Sequence, residues 1–231
     1  MTAEQALAQI DGEVAQLFTA LGPVAAGFGR VASLAGPIVR DDLLDVRGAI
    51  SDVLRAHPSF VAGCGVVPAP HLLADAPYWM EWFWSVPDRD PEALRVNLEP
   101  AAPDFFDYTT ADWFVTPQRT GQRHIAGPYV DYVCTNEYAT TVALPVQARG
   151  EFVGIVALDV TVSGWERRIL PALRAIGDPV TLTNASGRVI ASTSALRSPG
   201  RRIDASDRAR LIGSTAVGWR LLREEAAGTR N

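Results

Sequence analysis

The stretch TTVALPVQARGEFVGIVALDV, residues 140–160, decides how the central part of this chain folds. Two apolar runs rich in β-branched residues, at 140–147 and 152–162, flank the turn signal Arg149-Gly150. Short apolar runs on either side of a glycine-containing turn are typical of a β-hairpin. We therefore predict two antiparallel strands, with Asp159 near the end of the second one, where an unpaired carboxylate would be costly.

The segments before this hairpin predict helices followed by further strands. Apolar residues recur at helical spacing over residues 7–21 and again over residues 41–56. Strand-like runs follow at residues 60–67 and 78–86. The second of these reads YWMEWFWSV and contains three of the six tryptophans, so it is expected to supply rings to the interior.

After residue 162 the pattern restarts on a smaller scale. It predicts a helix over residues 164–176, short strands on both sides of a turn at 184–187, a short helix over 204–211 and a last strand over 218–224. The chain as a whole predicts an α+β fold. Its expected parts are an N-terminal helical stalk at 1–58, a main strand-rich lobe at 59–163, a connecting helix with a small second lobe at 164–225, and a disordered tail at 226–231.

The composition is that of a globular protein. The chain has 231 residues, of which 48% are hydrophobic and 20% charged, which is enough apolar material for a core. The net charge is −5 and no segment is strongly basic, which argues against a nucleic-acid partner. All 21 basic residues are arginine, so lysine Schiff-base chemistry and a P-loop lysine are excluded.

The N-terminal segment does not resemble a targeting sequence. It is acidic and has no arginine before Arg30, unlike a secretory signal peptide. The most apolar stretch, residues 14–39, is interrupted by prolines and glycines, whereas a membrane-spanning helix needs about 20 mostly apolar residues. Cys64 and Cys134 are too few and too far apart for a disulfide framework. We therefore expect a cytoplasmic bacterial protein that does not insert into a membrane.

The histidines and cysteines predict no metal site. His57, His71 and His124 have no histidine or cysteine three or four residues away, which is the usual ligand spacing. Cys134 with His124 as its base is an alternative nucleophile, and a buried, inert thiol is the simpler interpretation. We therefore expect no metal and no cofactor, and a chain that is not an enzyme.

Aromatic rings and carboxylates concentrate between residues 105 and 162, without a phosphate loop or a nucleophile with its base. Ring faces and carboxylates are the groups that bind a cation. We therefore predict a pocket for a positively charged ligand, with Trp113, Tyr129, Asp131 and Asp159 as its main contacts. The further candidates are Tyr108, Phe114, Trp82 and Glu81; alternate strand residues face opposite sides, so the sequence leaves open which face of residues 78–86 lines the pocket.

The order of these motifs resembles a Cache domain of the double type, which occurs in bacterial chemoreceptors and sensor kinases. The resemblance rests on the pair Trp113-Phe114, on Pro128-Tyr129-x-Asp131, and on the hairpin pattern PVxxxGxxxGxxxxD that ends at Asp159. It covers roughly residues 60–162. It implies a PAS-like antiparallel sheet behind a long N-terminal helix, and a homodimer formed through that helix.

The resemblance also implies what the pocket binds. In amino-acid-binding members, an arginine two residues before the tryptophan binds the ligand carboxylate, and here that residue is Ala111. Phe114 replaces the tyrosine that usually follows the tryptophan. The residues that would bind the ligand's amino group are present, so the chain resembles the amine-binding branch. A small amine is expected, with diamines and methylated amines as candidates.

Three functions are compatible with these features. The first is a non-catalytic sensor that binds a small cationic amine and signals through an unknown output protein. The second is an enzyme that uses the same pocket, with Asp131 or Asp159 as general base. The third is an interaction module whose pocket is filled by its own side chains. Members of the family are usually extracellular behind a transmembrane helix, which this sequence is expected to lack.

Overall fold

The computed structural model describes residues 1–86, 88–132, 138–204, 207 and 209–225. It shows a long helix packed against two antiparallel sheets, so the predicted α+β fold is confirmed. The predicted tail at 226–231 lies outside the described residues, as does Cys134.

The N-terminal helix α1 spans Ala3–Val31. It starts at a capping box, in which the Thr2 hydroxyl accepts from the Gln5 backbone N–H and the Gln5 side chain accepts from the Thr2 N–H. One face, which includes Leu7, Ile10 and Val14, is buried because apolar residues recur every three to four positions. The prediction of a helix is confirmed, and the helix continues through Pro23 to Val31.

The first sheet has six strands, with the order β3-β2-β1-β6-β5-β4 and antiparallel pairing throughout. The predicted hairpin forms its centre, and Arg149 and Gly150 adopt the positive φ values of its turn, 53° and 83°. The strands are β1 (Val61–Pro68), β2 (Glu81–Trp84), β3 (Glu92–Ala93), β4 (His124–Val130), β5 (Tyr138–Ala148) and β6 (Glu151–Thr161).

The two faces of this sheet are covered by different elements. Helix α1 and helix α2 (Arg47–Ala56), which follows a 3₁₀ turn at Arg40–Val46, pack on one face. Helix α3 (Asp112–Thr120), which follows a 3₁₀ turn at Tyr108–Thr110, packs on the other face. Each face has its own hydrophobic cluster, and the one under α3 is the smaller.

The second sheet has four strands in the order β8-β7-β10-β9, and helix α4 (Val162–Arg174) connects it to the first sheet. Its strands are β7 (Val180–Thr183), β8 (Val189–Ser192), β9 (Ala209–Ser214) and β10 (Arg220–Glu224). The helix predicted over residues 204–211 is wrong, because Leu211 pairs with Leu222 in the sheet. Local helical propensity is overridden there by strand pairing, and Asp207 forms ion pairs with Arg197 and Arg201.

Two glycines of β1 let the Trp82 side chain lie across the sheet. Trp82 of β2 pairs directly with Gly65, and its indole covers both Gly65 and Gly63. A Cβ at Gly65 would lie 2.3 Å from the Glu81 carbonyl oxygen and 2.8 Å from the Trp82 Cα. Glycine is required here because backbone atoms occupy the space of a side chain.

A Gly65→Ala substitution should therefore lower the free energy of unfolding by at least about 2 kcal/mol, since the clash is with backbone atoms that cannot rotate away. Urea denaturation measures this change. Gly12→Ala is the matched control: it lies in α1 with nothing within 4 Å of the added Cβ, and should stabilise the protein by about 0.5–1 kcal/mol. Equal effects of the two substitutions would contradict the conclusion that the packing of Trp82 against β1 requires glycine at position 65.

Candidate ligand-binding site

A cavity of about 590 Å³ lies between the first sheet and helix α3. Its volume suits a small metabolite. The residues that line it fall into three groups: the carboxylates Asp112, Asp131 and Asp159; the rings Trp82, Phe106, Trp113, Tyr129 and Tyr132; and small or apolar residues that include Met80, Leu94, Ala111 and Thr141. The four main contacts predicted from the sequence therefore line one cavity, and an interaction module with a filled pocket is not what the structure shows.

Strand register brings the lining residues of the sheet together. Asp159 of β6 is directly opposite Thr141 on one side and Gly63 on the other. Residues directly opposite each other project to the same face of an antiparallel sheet. Gly63 has no side chain, so the space beside Asp159 is open to the Trp82 indole. This register makes one patch of the sheet both acidic and aromatic.

Trp113 is positioned by the segment that precedes it. The Asp107 side chain accepts from the Thr109 backbone N–H and fixes the 3₁₀ turn, after which Ala111 is extended and α3 begins. Tyr108 stacks on Trp113 with ring centroids 6.5 Å apart, and the Tyr108 hydroxyl donates to the Pro68 carbonyl oxygen at 3.0 Å. The Trp113 indole is therefore held by packing as one wall of the cavity.

Tyr108 and Phe114 lie behind this wall, and neither lines the cavity. Both are almost fully buried, and their rings meet edge to face at 5.1 Å between centroids. Both were predicted to contact the ligand, but the structure places them outside the cavity lining, with their rings packed against Trp113. Burial raises the pKa of Tyr108 to about 12, so its hydroxyl stays protonated as the donor to Pro68.

Glu81 lies on the opposite face of β2, so its prediction as a third pocket acid is also corrected. Its Oε1 is 2.5 Å from the Arg47 Nε, and its Oε2 accepts from the Trp79 indole at 3.1 Å. Met80 and Trp82 are the residues of this segment that face the cavity. The question that the sequence left open is therefore answered by the register of β2 against β1.

A series of hydrogen bonds connects the Tyr129 ring to Asp159. Asp159 and Asp131 together are called the floor of the cavity below. The Thr141 hydroxyl donates to Asp159 Oδ1 at 2.6 Å and is also hydrogen-bonded to the Tyr129 hydroxyl. A hydroxyl has a single proton to donate, so Tyr129 is the donor to Thr141. This series of hydrogen bonds orients the Asp159 carboxylate and polarises it from one side.

The two acids at the floor of the cavity are buried away from solvent. Asp131 and Asp159 are each only 6% exposed. Burial raises the pKa of Asp159 to about 7; the hydrogen bond from Thr141 opposes this shift, and the charge of Asp131 adds to it. None of the described residues that line the cavity is arginine or histidine. Residues 133–137, which follow Tyr132 in the chain, read VCTNE and contain no basic residue either.

Three lining residues with polar side chains were not anticipated from the sequence. Asp112 is the first residue of α3 and would ordinarily be interpreted as a helix-start acid. Thr141 has no motif of its own, and only its register reveals that it is the partner of Asp159. Tyr132 lines the cavity although it is 79% exposed. Its position next to Asp131 in the sequence is the feature from which its place in the lining could be predicted.

Among the described residues, His124 and Cys64 have contacts of a structural kind. His124 Nε2 is 2.8 Å from Asp112 Oδ2, and Cys64 is buried with its pKa raised by burial, so its thiol is unreactive. Within the described ranges, no group of three or more histidine, cysteine, aspartate or glutamate residues is placed to hold a metal ion. The predicted alternative of Cys134 as a nucleophile falls on a residue that the structure does not describe.

Comparison with known proteins defines the class of this fold. Residues 92–165 match the family model of the first PDC sensor domain of methyl-accepting-chemotaxis-protein-like proteins. The sensory domain of the Campylobacter jejuni chemoreceptor Tlp3 aligns with a TM-score of 0.65 at 13% identity, over 97% of this chain and 90% of that domain. A sequence search of curated proteins gave no match.

Two further solved structures share the fold. The extracellular domain of the histidine kinase soHK1S-Z6 aligns with a TM-score of 0.63 at 12% identity, over 94% of this chain and 88% of that one. The ligand-binding domain of the Pseudomonas fluorescens chemoreceptor CtaA, in complex with L-valine, aligns with a TM-score of 0.58 at 16% identity, over 94% and 91%. The chain therefore has a fold of the PDC or Cache type, and the resemblance to a Cache domain predicted from the sequence is confirmed.

The prediction of a cytoplasmic protein is contradicted by these comparisons. One of the aligned structures is itself an extracellular domain, and the matching family model describes a chemoreceptor sensor domain. The N-terminal sequence by itself therefore does not determine the compartment of this chain. Across the segments that the structure describes, no helix combines the length and the apolar character needed to cross a membrane.

Proposed function

We propose that this chain is the ligand-binding part of a sensor, and that its cavity binds a small protonated amine. The observation that supports this most directly is the pair of buried carboxylates, Asp131 and Asp159, in a cavity whose described lining has no basic residue. The lining rings give the ligand a second kind of contact. The role of each residue in binding is part of the proposal.

The physical argument concerns desolvation. An ammonium ion that leaves water loses strong hydration, and a buried site must replace it with hydrogen-bond acceptors and negative charge. The two buried acids supply charge-assisted hydrogen bonds. The faces of Trp113 and Tyr129 each add roughly 0.5–2 kcal/mol through their quadrupoles. The bound cation in turn reduces the repulsion between the two carboxylates.

The same argument disfavours a free α-amino acid as the ligand. CtaA was solved with L-valine and Tlp3 with L-norvaline, so other proteins of this fold bind amino acids. A ligand carboxylate beside Asp131 and Asp159 needs a cation to offset the repulsion, and here Ala111 lines the cavity where an arginine would be expected in amino-acid-binding relatives. We therefore infer selectivity for amines over amino acids.

Isothermal titration calorimetry with a panel of primary amines, diamines, methylated amines and α-amino acids tests this proposal. Simple amines should bind with micromolar or tighter affinity, and the α-amino acid with the same side chain should bind at least about tenfold more weakly, because its carboxylate meets only acids. Tight binding of α-amino acids without binding of simple amines would contradict the proposal.

An enzyme acting on the bound amine is the second candidate, and one observation favours it. The pKa of Asp159, raised to about 7 by burial, is in the range suited to a general base. NMR spectra of the amine that binds most tightly, recorded over hours with the protein present, distinguish the two functions. An unchanged ligand supports the sensor, whereas turnover supports the enzyme.

Signal output requires more than this pocket. We propose that the chain acts through an output protein or output domain, and that two copies associate through α1. The main lobe at 59–163 is proposed to bind the ligand, with the stalk at 1–58 and the lobe at 164–225 as transmitting parts. Sedimentation equilibrium with and without the amine tests the association, and a strict monomer under both conditions would contradict it.

A further inference from the structure

A third carboxylate of the cavity, Asp112, lies apart from the acidic floor. It is the first residue of α3, next to Trp113, and its side chain is 64% exposed. Asp112 Oδ1 accepts from the Thr116 hydroxyl at 2.6 Å, and Oδ2 is 2.8 Å from His124 Nε2. These two contacts fix the direction of a carboxylate at the solvent side of the cavity.

Strand register separates this acid from the other two. His124, which contacts Asp112, pairs with Ala143 of β5, whereas Asp159 pairs with Thr141. Two residues along a strand correspond to about 7 Å. Asp131 follows the last residue of β4, at the far end of the same strand. Along the sheet, the row of Asp159 therefore lies between Asp131 and the His124 that holds Asp112, about two residues from His124.

Much of the cavity lining apart from the three carboxylates is apolar. Trp113, Met80 and Leu94 belong to it, and none of them carries a charge. A chain of methylene groups fits such a wall, because the burial of CH₂ groups away from water is favourable. A ligand with a cation at each end and a hydrocarbon middle matches this pattern.

The Asp112 carboxylate is ionised at neutral pH. Burial acts to raise the pKa of Asp112, but the hydrogen bonds from Thr116 and His124, together with the charges of His124 and Arg119, prevail and hold it below its usual range. An ammonium that binds only at Asp131 and Asp159 makes no contact with this third carboxylate.

We propose that Asp112 binds the second ammonium of a linear α,ω-diamine whose first ammonium lies at Asp131 and Asp159. This inference rests on the proposed amine-binding function and narrows its ligand class. Asp112 acts here as a residue that determines specificity, because a monoamine satisfies the floor of the cavity and leaves Asp112 unused.

The test compares 1,4-diaminobutane and 1,5-diaminopentane with butylamine and pentylamine by calorimetry, using the wild-type protein and Asp112→Asn. A solvent-exposed ion pair contributes little to binding, so the diamines should bind about twofold to fivefold more tightly than the monoamines. Asp112→Asn should remove this preference, so that the ratio of diamine to monoamine affinity falls to about one. Asp104→Asn, which removes one exposed charge outside the cavity lining, should keep it.

The outcomes separate the two proposals. Diamines that bind no more tightly than monoamines in the wild type, or a preference that survives Asp112→Asn, would overturn the role of Asp112 while leaving the amine pocket intact. Failure of every amine to bind would overturn the proposed function and this inference with it. Because the diamine preference is already measurable in the wild type, the test does not depend on the stability of a variant.

Discussion

An Asp159→Asn variant is expected to bind amines at least about 30-fold more weakly than the wild type. The carboxylate is buried, its Oδ1 is fixed by Thr141, and it lies in the same cavity as Trp113 and Tyr129. Truncation of one partner in a buried charge pair costs about 2–5 kcal/mol, which corresponds to a loss of 30-fold or more. Calorimetry with butylamine measures the change.

Glu81→Gln is the matched control for this experiment. Glu81 is also a buried acid of the first sheet, but it contacts Arg47 and Trp79 on the other face. It should lower stability and leave amine affinity within about twofold of the wild type, because it is outside the cavity. Equal losses in the two variants would mean that affinity follows general destabilisation, and the assignment of Asp159 to the ligand would be wrong.

Amine affinity is expected to rise steeply with pH between 5 and 8. The pKa of Asp159 in the free protein is raised to about 7, chiefly by burial, so the acid is protonated below this value. A bound ammonium favours the ionised carboxylate and must displace the proton. Each unit below pH 7 therefore weakens binding about tenfold, and affinity at pH 5 should be about 100-fold lower than at pH 8.

Two measurements check the origin of this pH dependence. Calorimetry at pH 6 in buffers with different ionisation enthalpies should show release of nearly one proton per amine bound. In Asp159→Asn the remaining weak affinity should be nearly independent of pH over the same range. An affinity that stays constant or falls from pH 5 to pH 8 in the wild type would contradict a protonated Asp159 in the free protein.

Much of the fold could be predicted from the sequence because local patterns and tertiary structure agree. The periodicity of α1 and the Arg149-Gly150 turn both correspond to elements of the structure. The same holds for the four main cavity residues, since the order of rings and acids along the chain reflects their places on α3, β4 and β6. Their meeting in one cavity could be predicted from the motifs together.

Other features depend on register, which the sequence does not display. A two-residue turn at Arg149-Gly150 would place Thr141 opposite Leu158, but an irregularity after Val146 shifts the pairing by one residue. Gly154, with φ of 139° and its Cβ position 2.4 Å from a backbone oxygen of β1, lies at this shift. Thr141 thus becomes the partner of Asp159.

The false predictions have a related cause. Glu81 and Trp82 are adjacent in an aromatic strand, and only pairing with β1 decides which of them faces the ligand. Tyr108 and Phe114 lie near Trp113 in the sequence, but residues on a turn and a helix project in different directions, and both pack behind Trp113. The strand β9 forms through pairing with β10, which local propensity over 204–211 does not reveal.

A crystal structure of the protein with a bound amine tests the central claim most directly. The account predicts that the ligand nitrogen lies within about 3 Å of carboxylate oxygens of both Asp131 and Asp159, with the Trp113 ring face against its carbon atoms. A nitrogen bound elsewhere on the protein, with the cavity between α3 and the sheet occupied by solvent alone, would contradict it.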